Sequence, residues 1–334
     1  MLSSRKPIFW IWMIGLLFLI TACTLSTTHV QPRTTEVATT LPPSQTIRPI
    51  FTPIPISTPT PTSTISPTPS ITPIFLSGAG DISICGQDGD DLTAAILEVI
   101  PGTIFTLGDN SNEAGRMIEY QRCFGPAWGK FLDRIRPSAG NHDYVTPGAP
   151  NYYAYFGASA GEPGKGYYSY DLGNWHIVVL NSNCGDVACG RDSKQIQWLK
   201  EDLKAHSTLC TAAYWHHPLW TSYDGGESRT LIPIWEVLYE NGVDLVMNGD
   251  EHFYERFQPL NPLGTPDPAR GIRQFTISTG GAYFRYFEKP HPLSETQITG
   301  QFGIMKFTLQ EAEYSWEFIN TSGEILDQGS ANCH

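Results

Sequence analysis

Five places in this 334-residue chain combine a buried-looking apolar run with an abrupt polar stop. The stops read GDIS with Asp81, LGDN with Asp109, GNHD with Asn141, His142 and Asp143, WHHP with His216 and His217, and GDEHFYER with Asp250 and His252. Apolar runs of four to eight residues are strand-length, and glycine at the stop lets the backbone turn sharply and brings the next side chain close to a partner. In open α/β sheets the loops at the carboxyl ends of strands converge, and ligands sit there. A lone Gly-Asp is an ordinary turn and a lone strand-end histidine an ordinary polar residue. Five in one order restrict the chain to an α/β architecture with its acids, amides and imidazoles at one edge. That donor set of oxygen and imidazole nitrogen suits Zn, Mn, Fe or a mixed pair of ions rather than a thiolate centre.

The remaining patterning agrees. Runs at 103–107, 134–139, 175–180, 211–215, 243–247 and 274–278 are expected strands. Segments 91–100, 193–205 and 230–240 carry helical spacing, with Ser193 or Asp192 placed to cap the second. The end differs: 302–309, 314–319 and 324–327 read as an antiparallel meander turning at Thr321-Ser322-Gly323. Sheets packed face to face with helices outside fit this order.

None of this begins before residue 76. Arg5 and Lys6 precede an apolar run to Ile20, too short for a comfortable membrane span, which ends in Ile20-Thr21-Ala22-Cys23. That ending resembles a bacterial lipobox. A signal peptide over 1–22 and a lipid on Cys23 are expected, which places the chain on the extracytoplasmic side of a bacterial cell membrane. From 24 to 75, Pro, Ser and Thr make up 32 of 52 residues. Thr-Pro and Ser-Pro steps favour extended backbone with little to bury, so residues 23–75 read as a disordered stalk and 76–334 as the one folded domain. Lipid is the only membrane contact expected, and the oligomeric state a monomer. Six cysteines remain, an even number suited to disulfides in an exported domain. Cys184 and Cys189 bracket a short loop and form the safest pair. Cys210 with Cys333 would pin the C-terminus, leaving Cys85 with Cys123, one of 15 full pairings.

Charge narrows the partners. Residues 76–334 hold 17 basic and 32 acidic side chains. So acidic a surface repels a phosphate backbone, and no nucleic-acid groove is expected.

Taken together, Gly80-Asp81, Gly108-Asp109, Gly140-Asn141-His142-Asp143, His216-His217-Pro218, Gly249-Asp250-Glu251-His252 and Tyr254-Glu255-Arg256 resemble the blocks of the calcineurin-like metallophosphoesterases, in their purple-acid-phosphatase-like bacterial branch. The resemblance implies a four-layer αββα sandwich of two mixed sheets carrying two divalent or trivalent ions (Mn, Zn or Fe). Asp81, Asp109 and His252 would hold the first ion. Asp109 would bridge to the second, held also by Asn141, His216 and Asp250, the last in the position of a family histidine. His142 would be the general acid as hydroxide held by the ions attacks phosphorus in line, with Asp143 either orienting it or raising its pKa, or else serving as a turn residue. Asn110, Asn112, His217 and Arg256 would contact substrate or support the ligands. The sequence departs from the pattern at Ser83, where the superfamily has histidine, and at Asn112, where purple acid phosphatases have a tyrosinate. Both departures thin the first metal site. The expected activity is hydrolysis of a small phosphate ester, a monoester first. A diesterase or nucleotidase, or a non-catalytic surface binding protein on the same fold, are the alternatives.

Overall fold

The structure is a computed structural model that describes residues 73–206, 210–287 and 289–334. The expected signal peptide, Cys23 and nearly all of the proline-rich segment lie outside the described residues.

Three strands open the first sheet: β1 (Ile74–Ala79), β2 (Thr103–Leu107) and β3 (Ile135–Ser138), parallel to one another. Seven build the second: β4 (Tyr168–Leu172), β5 (Trp175–Val179), β6 (Cys210–Tyr214), β7 (Leu245–Asn248), β8 (Tyr254–Phe257), β9 (Arg273–Ile277) and β10 (Ser294–Ile298). The chain then returns to the first sheet through β11 (Gly303–Leu309), β12 (Glu313–Asn320) and β13 (Ile325–Asn332). The spatial orders are β13-β12-β11-β1-β2-β3 and β10-β8-β9-β7-β6-β5-β4. Both sheets are mixed. β5, β6, β7 and β9 run parallel at the heart of the second, while β11 meets β1 antiparallel in the first. Because β1 begins at Ile74 and pairs Ile74 with Leu309, residues 74 and 75 belong to the domain and not to the stalk.

The inner faces meet through aromatic rings. Phe105 of β2 lies 5.9 Å from Tyr214 of β6, and Phe275 of β9 lies 5.2 Å from Phe307 of β11. All four are fully buried. Removing a ring of this size from water stabilises the fold by about 1.5–3 kcal/mol. Helices Gly89–Val99 and Lys194–Ala205 bury one stripe each, Thr93-Ala94-Leu97 in the first and Ile196-Leu199-Leu203 in the second. Ser193 caps the latter, its Oγ accepting from the Ile196 N–H at 3.2 Å. No helix among the described residues is long and apolar enough to cross a membrane.

Three disulfides close the domain: Cys85–Cys123, Cys184–Cys189 and Cys210–Cys333. The last ties the start of β6 to the penultimate residue, as the sequence pattern suggested.

Candidate metal centre

The loops after β1, β2, β3, β6 and β7 open on the same edge, and hydrogen bonds lock them to one another across the two sheets. The Asp81 N–H donates to Gly108 O at 3.1 Å, Gly249 N–H to His216 O at 2.8 Å, and Asp250 N–H to Asp81 Oδ2 at 2.9 Å. Of the five described non-glycine residues at positive φ, four are Asp81, Asp109, Asp250 and His252. L-residues occupy that region at a cost, and where it persists the surroundings over-determine it. Here the strained turn aims each side chain inward from the end of its strand. Gly140 is required for closeness: a Cβ there would run into Asp109 Oδ1 and the Asp109 backbone nitrogen.

Asp109 is the centre of the cluster. Its Oδ2 is 3.4 Å from His216 Nε2, 3.8 Å from His142 Nε2 and 3.2 Å from Asn112 Nδ2, and its Oδ1 accepts the His142 N–H at 2.8 Å. Asp81 Oδ1 lies 3.5 Å from His252 Nε2, and Oδ2 accepts from the Ser278 hydroxyl. His216 spends Nδ1 on Leu107 O at 2.6 Å, which leaves Nε2 to face Asn141 Oδ1 at 3.0 Å and Asp250 Oδ1 at 3.6 Å. This division of the two ring nitrogens is how a ligating histidine is oriented.

Electrostatics follow from burial. Desolvation pushes the Asp81 carboxyl up to about 7 against the pull of His216. Burial would raise Asp109 too, but the facing His216 outweighs it and the carboxyl stays below its ordinary range. His216 in turn resists its own desolvation, because Asp109 holds it well above 6.5. His252 goes the other way, to about 3, through burial and the Arg285 cation.

These residues suit metal ions. One donor atom each from Asp81, Asp109 and His216 lies within 4.8 Å of the others, and so does one each from His216, His217 and Asp250. His252 Nδ1 and Asn112 Oδ1 are buried without a hydrogen-bond partner. Two carboxylates almost wholly out of water, with neutral imidazole and amide donors turned toward them, form a cation-binding set.

Several sequence expectations change here. Asp143 does not orient the His142 ring. Its Oδ2 accepts from Gly140 N–H at 2.8 Å and from Asn110 Nδ2 at 3.0 Å, while Oδ1 accepts from the Tyr120 hydroxyl. It is a buried brace for two ligand loops, whereas His142 is set by its own Nδ1, 2.8 Å from Glu113 O. Asn110 is equally buried and also donates to Ser138 O at 3.0 Å, so it supports loops and does not meet substrate. Arg256 is elsewhere. It pairs with Asp327 at 2.8 Å and with Glu295, over the Trp316 ring, because successive side chains of β8 point to opposite faces. Ser83 is a structural residue, its hydroxyl donating to Asn110 O at 2.9 Å. His217, held by Ser182 Oγ at 2.8 Å, lines a 310 Å³ pocket together with Asn141, Tyr144 and Asn183.

Sequence reasoning missed Ser278 on Asp81, Tyr120 on Asp143, and the segment 283–285. Tyr283 stacks on the His252 ring at 3.8 Å, and Arg285 donates to Asp250 O at 3.1 Å. Only Ser278 carried a signal, as a hydroxyl at the end of an apolar run.

Residues 79–254, more than half the chain, match the family model described as calcineurin-like phosphoesterase. The chain belongs to that family. Among curated relatives, purple acid phosphatase 15 of Arabidopsis thaliana is 31% identical over 149 residues, which are 39% of this chain and 27% of that protein. A probable inactive purple acid phosphatase 9 of the same plant is 28% identical over 271 residues, 63% of this chain and 41% of its own. The chain thus spans less than half the length of these relatives. Among solved structures, the purple acid phosphatase PPD1 from yellow lupin seeds superposes with a TM-score of 0.64 at 16% identity, over 78% of this chain and 54% of that one. The fold is that of the calcineurin-like phosphoesterases.

Proposed function

We propose that the chain is a metal-dependent phosphoesterase, acting first on monoesters, and a lipid-anchored monomer on the extracytoplasmic face of a bacterial membrane. The observation that carries the enzymatic reading is Asp109, buried between the loops that deliver Asp81, Asn141, His142 and His216. Export is supported by three disulfides in a domain of this size, an arrangement suited to an oxidising compartment. The lipid on Cys23 rests on the lipobox-like sequence alone.

Asp81, Asp109 and His252 would hold one ion, and Asp109, Asn141, His216 and Asp250 the other. Bound there, two cations supply charge neutralisation for a phosphoryl group and a nucleophile at neutral pH. The protein's own residues do the rest. The His142 ring is fixed by Glu113 O, its Nε2 stands 3.8 Å from Asp109 Oδ2, and the side chain is 29% exposed. A proton on that Nε2 is placed for transfer to the departing ester oxygen. His217 offers an uncharged edge in the adjoining pocket, since burial next to His216 lowers it to about 4.

An aryl phosphate assay with Mn, Zn or Fe tests the reading. Asp109→Asn should reduce turnover at least a hundredfold, and undiminished turnover would sink it. A second reading, a binding protein on the same fold, is favoured by Ser83 and Asn112 in the first site. Metal analysis separates the two: fewer than one tightly held ion per chain, without turnover, supports the binding protein.

A further inference from the structure

We propose that Arg285 is the residue that recognises the phosphate group, and that it selects the dianion of a monoester over the single charge of a diester. This rests on the phosphoesterase reading and extends it to a residue outside the five ligand loops.

Arg285 is fastened to the centre at both ends. Its backbone N–H donates to His252 O at 3.1 Å, and its Nη1 donates to Asp250 O at 3.1 Å. Its guanidinium lies over the Tyr223 ring at 5.2 Å and near Tyr283 at 6.0 Å, and Tyr283 itself stacks on His252. A planar cation held on aromatic faces is pre-ordered, so little freedom is lost when its remaining N–H groups meet an anion. No carboxylate among the described residues lies within ion-pair distance of it. Arg116, which follows the second of the ligand loops, is committed to the buried Glu119.

Charge gives the reason for a cation here. Asp250 stands where the family has histidine, adding a negative charge to a site already built on Asp81 and Asp109. The domain as a whole repels anions. An arginine anchored to Asp250 O offsets that excess at the ligand loop itself, and guanidinium is suited to two phosphate oxygens at once. A monoester presents two charges and three free oxygens, a diester one charge and two, so the added cation favours the former. Tyr223, over whose ring the guanidinium lies, also lines an 820 Å³ cleft with Tyr286, Lys289 and His291.

The test compares wild type, Arg285→Gln and Arg285→Lys in the full chain loaded with Mn. Readouts are kcat/KM on 4-nitrophenyl phosphate and bis(4-nitrophenyl) phosphate, calorimetric affinity for inorganic phosphate, and metal content. Arg285→Gln should lose roughly tenfold to a hundredfold on the monoester, less than threefold on the diester, and about tenfold in phosphate affinity. Metal content should hold, and Arg285→Lys should recover part of the loss. Equal losses on both esters, unchanged phosphate affinity, or loss of metal would overturn the assignment. If the wild type binds phosphate through Arg285 but hydrolyses neither ester, the phosphoesterase reading fails while the recognition role stands. If it binds no phosphate, both fail.

Discussion

Glu251 sits between two candidate ligands, fully buried, under the loop that carries Thr221 and Gly226. The Arg285 cation and, less, Thr221 offer some relief, yet neither carboxyl oxygen finds a hydrogen bond of ordinary geometry. Desolvation, reinforced by the Asp250 charge, pushes it from 4.5 up to about 8. A carboxyl whose folded pKa is raised binds its proton more tightly folded than unfolded. Its contribution is therefore fully present below pH 4.5 and is lost as pH rises through 8. At 1.36 kcal/mol per pH unit, the stretch from pH 6 to 8 removes about 3 kcal/mol. That is a large share of the roughly 5–15 kcal/mol that holds a domain folded. Glu251→Gln keeps the shape and discards the titration. Urea unfolding of the chelated full chain at pH 6 and pH 9 is the assay. Wild type should lose about 3 kcal/mol more than the variant over that interval, leaving Glu251→Gln the more stable protein at pH 9. Raised His216 lowers stability over the same window in both proteins and cancels in the comparison. Parallel pH profiles would refute the reasoning, since they would mean that Glu251 is solvated or paired in solution.

Two further outcomes follow from the same geometry. His142→Ala should cut turnover by roughly a hundredfold to ten-thousandfold, the usual weight of a general acid, with metal content unchanged. Loss of metal on elemental analysis would show that the ring is a ligand instead. Tyr120→Phe removes the hydroxyl from buried Asp143 and should destabilise the fold by about 1–3 kcal/mol by urea unfolding, while metal-loaded turnover falls only modestly. A normal midpoint would mean that Asp143 does not depend on that bond.

The ligand loops were legible because everything that makes them is local. An apolar run of strand length, a glycine, then an acid or imidazole is a pattern a few residues long, and parallel strands carry such ends to one edge by geometry. The strands at 103–107 and 175–180 and the cap at Ser193 were legible for the same reason. Asp143 was misread because adjacency in sequence suggested a partnership with His142. At a tight turn the two side chains diverge, and Asp143 instead meets Tyr120, 23 residues back in the chain. Arg256 was misread because one step along a strand exchanges faces: Glu255 meets Ser222 and Arg256 meets Asp327.

By itself, then, the sequence determined a folded α/β domain and which side chains stand at its strand ends. Only the tertiary structure decided what surrounds them. Ser278 reaches Asp81 across 197 residues, Asp250 N–H reaches it across 169, and Arg285 touches Asp250 from a loop with no motif of its own. Such contacts depend on how two sheets pack and how long loops return, which are properties of the whole core. The candidate ligands could therefore be named from their own turns, while the cation proposed to meet the substrate could not.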